Sequence, residues 1–139
     1  SGRMKEKKLE AIGKFGGLKV LVLGDVMLDI YDFCYSETSR PSPETPGKKV
    51  YKAHRSIRTL GGAGNVATNL ASLEVSTSLI SVSGNDGHYL TLSDLACELG
   101  LNHVLIKDPS RPTTTKTRLY IDDEYIPAPG RRRDPPGKR

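Results

Sequence analysis

Two carboxylates follow the most apolar segment near the start of the chain. Asp25 and Asp29 lie in the stretch Gly24-Asp-Val-Met-Leu-Asp29, directly after residues 18–23. An ionised carboxylate only accepts hydrogen bonds, which suits it to binding sugar hydroxyls. Ligands of open parallel sheets bind beyond the carboxyl ends of the strands. We therefore expect these carboxylates, Asp29 above all, to face a polar ligand; the alternative is that either one caps the turn after the strand.

A glycine-rich segment, Gly61-Gly-Ala-Gly-Asn65, precedes a helical pattern. Glycines let the backbone approach a ligand closely, and a helix start offers free N–H groups and the positive end of its dipole. Gly61, Gly62 and Asn65 are therefore candidates for lining a ligand site. The segment lacks the Lys-Ser/Thr of a P-loop and is not a G-x-G-x-x-G motif. A tight structural turn is the alternative.

Two cations lie two residues apart near the end of the chain. Lys116 and Arg118 fall in a segment rich in β-branched residues, where this spacing places both side chains on one face of a strand. Arginine binds a phosphate with a fork of N–H donors and lysine binds it as a point charge. The pair is a candidate phosphate site; the alternative is solvated surface.

The histidines and cysteines predict no metal site. His54, His88 and His103 are scattered singly, and two cysteines make neither a metal-type pair nor a disulfide framework. We expect free thiols, with Cys97 as a small residue of the core.

The elements that must position these residues follow from the apolar pattern. Residues 18–24 are almost continuously apolar, which predicts a parallel strand covered on both faces. Helical spacing places one group of apolar residues on one face of a first segment: Val66, Ala67, Leu70, Ala71 and Leu73. In a second segment, which ends at Gly100, it places Leu92, Leu95, Ala96 and Leu99 on the inward face. The predicted order is a lead-in helix over 4–15, strand 18–24, a helix from the glycines to 73, strand 77–82, helix 87–99 and strand 103–106. Strands that alternate with helices indicate an α/β sheet.

Two further segments predict exposed strands. Residues 31–59 alternate loosely around a loop with three prolines, which excludes a central strand. Residues 113–121 are rich in β-branched residues, and most successive positions carry polar side chains, so neither face of the strand is apolar throughout. We expect the two segments to form a flap.

The charge distribution and the apolar pattern argue against a nucleic-acid-binding protein and a membrane-spanning protein. The chain has 139 residues and a net charge of +5, and its basic residues concentrate in 1–19 and 130–139 while the middle is mildly acidic. A nucleic-acid binder is expected to carry a basic stripe on its folded body. No apolar run is long enough to cross a bilayer. We expect one compact cytoplasmic protein with no nucleic-acid or membrane partner.

Taken in order, the motifs resemble the N-terminal part of the ribokinase-like (PfkB) carbohydrate kinases. They are the GDVMLD segment, the loop from Thr38 to Pro46, GGAGNVATNLASL from Gly61 to Leu73, Ser-Gly-Asn-Asp86 and Thr-Thr-Lys-Thr-Arg118. Within that family the chain is most similar to the heptose 7-phosphate kinases of ADP-heptose synthesis.

The resemblance implies a three-layer α/β/α core with a small β-sheet lid, truncated to its N-terminal half. It implies ATP-dependent phosphate transfer to a sugar hydroxyl with Mg²⁺. Asp29 would hold sugar hydroxyls, and Gly61, Gly62 and Asn65 would line the sugar pocket. Lys116 and Arg118 fall where the phosphate of a sugar phosphate would be held, and strands of 31–59 and 113–121 would form the lid that excludes water.

The chain also departs from the family. It has no Gly-x-Gly-Asp segment, in which the family carries its catalytic aspartate, and the resemblance ends near residue 126. We expect three parts: 1–17, with a cloning remnant before Met4 and the lead-in helix; 18–126, the kinase-like portion; and 127–139, a disordered Pro/Arg-rich tail.

Two functions remain open. One is a sugar-binding and lid portion that binds a sugar or sugar phosphate, without its own catalytic base and with no strong binding of ATP or Mg²⁺. The other is a non-catalytic assembly module that forms a homo-oligomer through its exposed sheet.

Overall fold

The computed structural model describes residues 2–13 and 17–127. The helices and strands of this part are α1 (Gly2–Gly13), β1 (Lys19–Leu23), β2 (Val26–Cys34), β3 (Arg40–Pro41), β4 (Lys49–Val50), β5 (Ala53–Gly62), α2 (Ala63–Ser72), β6 (Ser76–Gly84), α3 (His88–Glu98), β7 (Asn102–Asp108), β8 (Thr115–Ile121) and β9 (Glu124–Ile126). They form sheets with the strand orders β1-β6-β7, β5-β2-β8-β9 and β3-β4. The described residues divide into two compact units, one within residues 2–29 and 58–116 and the other within residues 30–57 and 117–127.

The first unit is built on the parallel sheet β1-β6-β7. In its register Leu23 lies beside Ile80, and Ile80 lies beside Val104. Helices α2 and α3 pack against the sheet, α2 on β6 and β1 and α3 on β7 and β6. Leu79 and Leu92 are almost completely buried in the layer between sheet and helices. The predicted α/β arrangement of strands and helices is confirmed.

The prediction that strand 18–24 is covered on both faces is wrong for the described residues. Leu21 is 55% exposed and Leu23 is 68% exposed, and on β7 Val104 and Ile106 are also more than half exposed. These four side chains share one face of the sheet, because register partners of parallel strands point the same way. Both helices lie on the opposite face, so nothing in the described residues covers this one.

The helices α2 and α3 lie where the sequence predicts them, but some residues predicted to face inward are exposed. Gly100 has a φ of +69° and ends α3 as expected. Ala67 and Ala96 are buried, whereas Val66 and Leu99 are exposed. Cys97 is exposed too, so its predicted place in the core is wrong. The residues that face the sheet form a narrower stripe than the apolar pattern suggests.

The strands β2 and β5 are longer than the sequence predicts. Residues 25–29 follow the first strand as an apparent turn, but β2 begins at Val26, so Asp29 lies within a strand. Strand β5 likewise continues beyond residue 59 to Gly62. A β-strand has no turn for Asp29 to cap, which removes the capping alternative for this residue.

The second unit contains the outer parts of β2, β5 and β8 and the hairpin to β9. Its aromatic side chains pack together: the Phe33 and Tyr120 rings are 5.0 Å apart, and Tyr31 and Tyr125 also stack or tilt against Tyr120. The loop with three prolines carries only the short pair β3-β4. Cys34 is buried. Its burial raises the pKa of the thiol, and the nearby negative charge of Asp32 raises it further, to a smaller extent.

The β8–β9 hairpin turns through two aspartates. Ile121 pairs with Glu124, and Asp122 and Asp123 between them have φ angles of +50° and +64°. Asp122 accepts hydrogen bonds from the backbone N–H and the hydroxyl of Ser36. Both hydrogen bonds lower the pKa of the Asp122 carboxyl, and the bond from the hydroxyl has the larger effect.

The N-terminal helix α1 is described, whereas most of the C-terminal tail is not. Helix α1 matches the predicted lead-in helix, and its Met4 and Leu9 are exposed. Residues 14–16 and the tail predicted to be disordered, from 128 onward, lie outside the described residues. None of the described helices is long and apolar enough to cross a membrane.

Candidate functional site

Asp29 and Gly61 lie against each other on the neighbouring strands β2 and β5. A Cβ atom at position 61 would lie 2.7 Å from Oδ2 of Asp29 and 2.6 Å from Cγ of Met27, so only glycine fits. Oδ1 of Asp29 is buried and has no hydrogen-bond partner among the described residues. A buried carboxylate oxygen without a donor is costly, and a ligand hydroxyl could provide that donor.

Gly62 begins helix α2 in a conformation that favours glycine. Its φ of +59° is in the left-handed region, and a Cβ atom there would lie 2.6 Å from the carbonyl oxygen of Asp25. That carbonyl accepts a hydrogen bond of 2.9 Å from the N–H of Ala63. The first N–H of the helix is therefore already bonded and is not free for a ligand.

Asn65 occupies the first turn of α2 and is exposed. The glycine before it, Gly64, is buried, and a Cβ atom there would lie 2.6 Å from Cβ of Leu60 and 2.9 Å from Cγ2 of Val26. Close packing against β5 and β2 therefore explains this third glycine. Of the three glycines, only Gly61 lies beside Asp29, whereas Gly62 and Gly64 are explained by close packing within the chain itself.

Asp25 has a partner that the sequence analysis missed. Nη2 of Arg111 lies 3.3 Å from Oδ1 of Asp25, and Nε of Arg111 lies 3.4 Å from Oδ2 of Asp108. Asp25 follows β1, Asp108 is the last residue of β7 and Arg111 lies shortly after it, all at the carboxyl edge of the parallel sheet. The hydroxyl and N–H of Ser110, and more weakly the charge of Arg111, lower the pKa of the Asp108 carboxyl. Arg111 is thus neutralised by two carboxylates.

Asp86 anchors the segment that carries Arg111. Its carboxylate accepts hydrogen bonds of 2.8 Å from both the N–H and the hydroxyl of Thr113 and one of 3.1 Å from the N–H of His88. These bonds, first those from Thr113, lower the pKa of the Asp86 carboxyl. Thr113 also accepts a bond from the N–H of Gly84, where a Cβ atom would lie 2.3 Å from the nitrogen of Thr113.

Lys116 and Arg118 lie on the same side of β8, as their spacing predicts. Lys116 is exposed, whereas Arg118 is half-buried. In the second unit, Nη1 of Arg118 donates a 2.7 Å hydrogen bond to the hydroxyl of Tyr31, and its guanidinium carbon lies 5.2 Å from the centre of the Tyr31 ring. Arg118 is thus held by two contacts with Tyr31, whereas Lys116 is exposed.

The structure places the predicted residues in three local settings. Asp29 contacts the backbone at Gly61, Gly62 and Asn65 follow at the start of α2, and Arg118 is held by Tyr31. Sequence reasoning missed Arg111 and Tyr31. A signal existed for Arg111, since it follows a predicted strand at the same sheet edge as Asp25. The contact of Tyr31 with Arg118 joins residues far apart in the chain, so the sequence gives no signal for it.

The described residues do not provide a metal site. Residues 2–13 and 17–127 contain no group of three or more His, Cys, Asp or Glu side chains that could hold an ion. None of the described residues is assigned to a magnesium nucleotide.

Sequence comparison relates the chain to bacterial bifunctional proteins. It is 49% identical over 104 residues to Bifunctional protein HldE of Rhodopseudomonas palustris strain BisA53, an alignment that covers 74% of this chain and 21% of the relative. The chain therefore spans about a fifth of the length of the curated relatives that it matches. No protein-family model matches the chain.

Structure comparison identifies the fold. A carbohydrate kinase from Agrobacterium tumefaciens superposes with a TM-score of 0.57 at 22% identity, covering 78% of this chain and 34% of the kinase. A nucleoside kinase from Methanocaldococcus jannaschii, an archaeal member of the ribokinase family, gives a TM-score of 0.52 at 21% identity and covers 78% of this chain and 35% of its own.

Proposed function

The chain is a relative of the bifunctional HldE proteins and has part of the ribokinase-like carbohydrate-kinase fold, and from this premise we propose that it is the sugar-binding and lid portion of a sugar kinase. The parent activity is ATP-dependent transfer of a phosphoryl group to a hydroxyl of a sugar phosphate, with heptose 7-phosphate as the best candidate. The chain itself lacks the Gly-x-Gly-Asp segment that would provide a catalytic aspartate.

The observation that carries the proposal is the setting of Asp29. Its Oδ1 is buried without a partner among the described residues, beside a position where only glycine fits. Such an oxygen accepts a hydrogen bond from a sugar hydroxyl without giving up an existing one. Gly61 lets the β5 backbone lie against Asp29. Asn65 offers a donor and an acceptor in the first turn of α2.

Binding and chemistry are separated in this proposal. Asp29 and Asn65 orient the sugar, and Lys116 and Arg118 bind its phosphate. ATP and Mg²⁺ belong to the parent activity, and we expect neither to bind this chain strongly. Without a catalytic base and preorganised groups that stabilise the transferred phosphoryl, the positioning and charge effects that make phosphoryl transfer fast are missing. We therefore expect the chain to bind and not to turn over.

Separate calorimetric titrations with heptose 7-phosphate and with ATP and Mg²⁺ test the proposal. We expect weak binding of the sugar phosphate, a loss of about tenfold or more in Asp29→Ala because a hydrogen bond to a charged group is removed, and no heat from ATP. Asp94→Ala, an exposed aspartate on α3, is the matched control and should bind like the wild type. Turnover with ATP, or an Asp29→Ala variant that binds normally, would contradict the proposal.

Assembly with a second copy of the chain is the alternative function, and the uncovered face of the sheet β1-β6-β7 favours it. Leu21, Leu23, Val104 and Ile106 expose more than half of their surface on that face. Contiguous apolar surface of this kind is typical of an interface. Sedimentation at several concentrations distinguishes the two functions, since a monomer at all concentrations would exclude assembly.

A further inference from the structure

Arg118 differs from Arg111 in how its charge is compensated. Arg111 pairs with two carboxylates, those of Asp25 and Asp108. In the part of the chain that the structure describes, no carboxylate lies within salt-bridge distance of Arg118, whose hydrogen-bond partner is the neutral hydroxyl of Tyr31. The charge of Arg111 is therefore already compensated by two carboxylates, whereas that of Arg118 is not compensated by any carboxylate of the described residues.

Tyr31 holds the guanidinium of Arg118 in two ways. Its hydroxyl accepts the 2.7 Å hydrogen bond from Nη1, and its ring lies under the guanidinium with 5.2 Å between the guanidinium carbon and the ring centre. An arginine side chain otherwise carries about 2 kcal/mol of rotamer entropy. Two contacts with the Tyr31 residue restrict that freedom before any ligand binds. The side chain therefore loses less entropy on binding, and the binding free energy is less reduced.

Tyr31 is itself fixed by the aromatic side chains of the second unit. Its ring stacks on Tyr120 with 6.5 Å between the centres and a 30° angle, and Tyr120 stacks on Phe33 at 5.0 Å. Aromatic pairs in this range attract each other beyond the area that they bury. The hydroxyl of Tyr31 therefore has a defined position, and so has the guanidinium bound to it.

We propose that Tyr31 is a positioning residue that orients Arg118 for the phosphate already present on a sugar phosphate, and so sets the preference for a phosphorylated over an unphosphorylated sugar. This inference rests on the proposed function. A guanidinium has five N–H donors, and Tyr31 takes one of them, so four remain for a planar, forked contact with phosphate oxygens. Lys116, an exposed residue on the same side of β8, adds a second positive charge.

The test is Tyr31→Phe, which keeps the ring and removes only the hydroxyl. Heptose 7-phosphate and the same heptose without its phosphate are titrated into the full chain. We expect the ratio of the two affinities to fall about fivefold in Tyr31→Phe, because a charge-assisted hydrogen bond that orders Arg118 is lost. The affinity for the unphosphorylated heptose should not change. Tyr89→Phe is the matched control, since Lys107 lies over the Tyr89 ring at 4.2 Å.

A double-mutant cycle shows whether Tyr31 acts through Arg118. Arg118→Gln should lower the ratio more than Tyr31→Phe does, and Tyr31→Phe combined with Arg118→Gln should lower it no further than Arg118→Gln alone. In the ligand-free protein, nitrogen-15 spectra of the Arg118 side chain should show faster guanidinium rotation in Tyr31→Phe than in the wild type.

The outcomes separate this inference from the proposed function. An unchanged ratio in Tyr31→Phe, additive effects in the cycle, or equal losses for both sugars would each overturn the positioning role and leave the sugar site standing. A wild-type chain that binds no heptose 7-phosphate would overturn the proposed function and the positioning role with it.

Discussion

Gly61 determines how closely two strands approach at the candidate sugar site. The space where its side chain would stand is occupied by the carboxylate of Asp29 and the side chain of Met27. The glycine therefore has a steric reason to be there whether or not a ligand binds. The chemical consequence is that one oxygen of Asp29 is buried and still lacks a hydrogen-bond donor among the described residues.

Gly61→Ala should destabilise the fold and weaken binding. The added methyl group would lie 2.7 Å from Asp29 Oδ2, and we expect a loss of about 1–3 kcal/mol in the free energy of unfolding, the usual cost of overpacking. Urea unfolding measures this loss. Gly87→Ala is the control, because no atom lies within 4 Å of its added Cβ. An alanine at 61 that leaves stability and sugar-phosphate binding intact would contradict the geometry.

Asp86 should make part of the stability depend on pH. Donation from Thr113 and His88 lowers the pKa of its carboxyl, so the folded state favours the ionised form. Its contribution is therefore full above the unfolded pKa of about 3.9 and is lost as the pH falls through the lower folded pKa. Between pH 7 and pH 3, urea unfolding of Asp86→Asn should show a smaller loss of stability than the wild type.

The control for this pH effect is Asp94→Asn, on the exposed side of α3. It should lose as much stability as the wild type over the same pH range, because Asp108 and Asp122, whose carboxyl pKa values are also lowered, remain in both proteins. Equal losses in Asp86→Asn and Asp94→Asn would show that the contacts with Thr113 contribute nothing to the pH dependence.

At the scale of elements, helices and strands with long apolar patterns were easier to predict than local turns. The helices α2 and α3 and the strands β1, β6 and β7 follow from runs and periods that span several residues. The start of β2 does not, since Gly24 and two aspartates are typical of a turn and the strand forms only because β5 and β8 lie beside it.

Burial was the least predictable property of these elements. An apolar side chain such as Leu23 predicts that something covers it, but the sequence of the strand does not say what does. The same limit applies to Tyr31, whose bond to Arg118 joins residues 87 positions apart in the chain. For the candidate site, Asp29, the glycines and the cations remain sequence predictions, and the sequence did not indicate the groups that contact them.

The β8–β9 hairpin gives a prediction about turn chemistry. Asp123 has a φ of +64°, which glycine adopts more easily. Asp123→Gly should raise the free energy of unfolding by about 0.5 kcal/mol, the difference between the left-handed cost and the extra chain entropy of glycine. Asp122→Gly should lower it instead, because the bonds from Ser36 are lost. Thermal unfolding of both variants distinguishes the two positions, and equal shifts would contradict this account.

At the scale of the whole molecule, the described chain leaves an apolar sheet face uncovered. Leucine occurs on both faces of this sheet, since Leu79 and Leu105 are buried on the covered face and Leu21 and Leu23 are exposed on the other. Exposed apolar area of this kind lowers solubility and promotes association.

Leu23→Thr combined with Val104→Thr should reduce association. Threonine retains a branched side chain that suits a strand, so we expect the free energy of unfolding to change by less than about 1 kcal/mol at these exposed positions. Sedimentation should show a weaker concentration dependence than in the wild type. Leu90→Thr, on an exposed residue of α3, is the control. If all three proteins associate equally, the sheet face is not the interface.

The two cysteines differ in a way that makes the protein convenient to label. The Cys34 thiol is buried and its pKa is raised, so little of it is the reactive thiolate at neutral pH, whereas Cys97 is exposed near the end of α3. A maleimide dye should therefore attach at Cys97 first and leave Cys34 unmodified while the fold persists. The native chain thus accepts a single fluorophore without any engineered substitution, and later modification of Cys34 would report unfolding of the second unit.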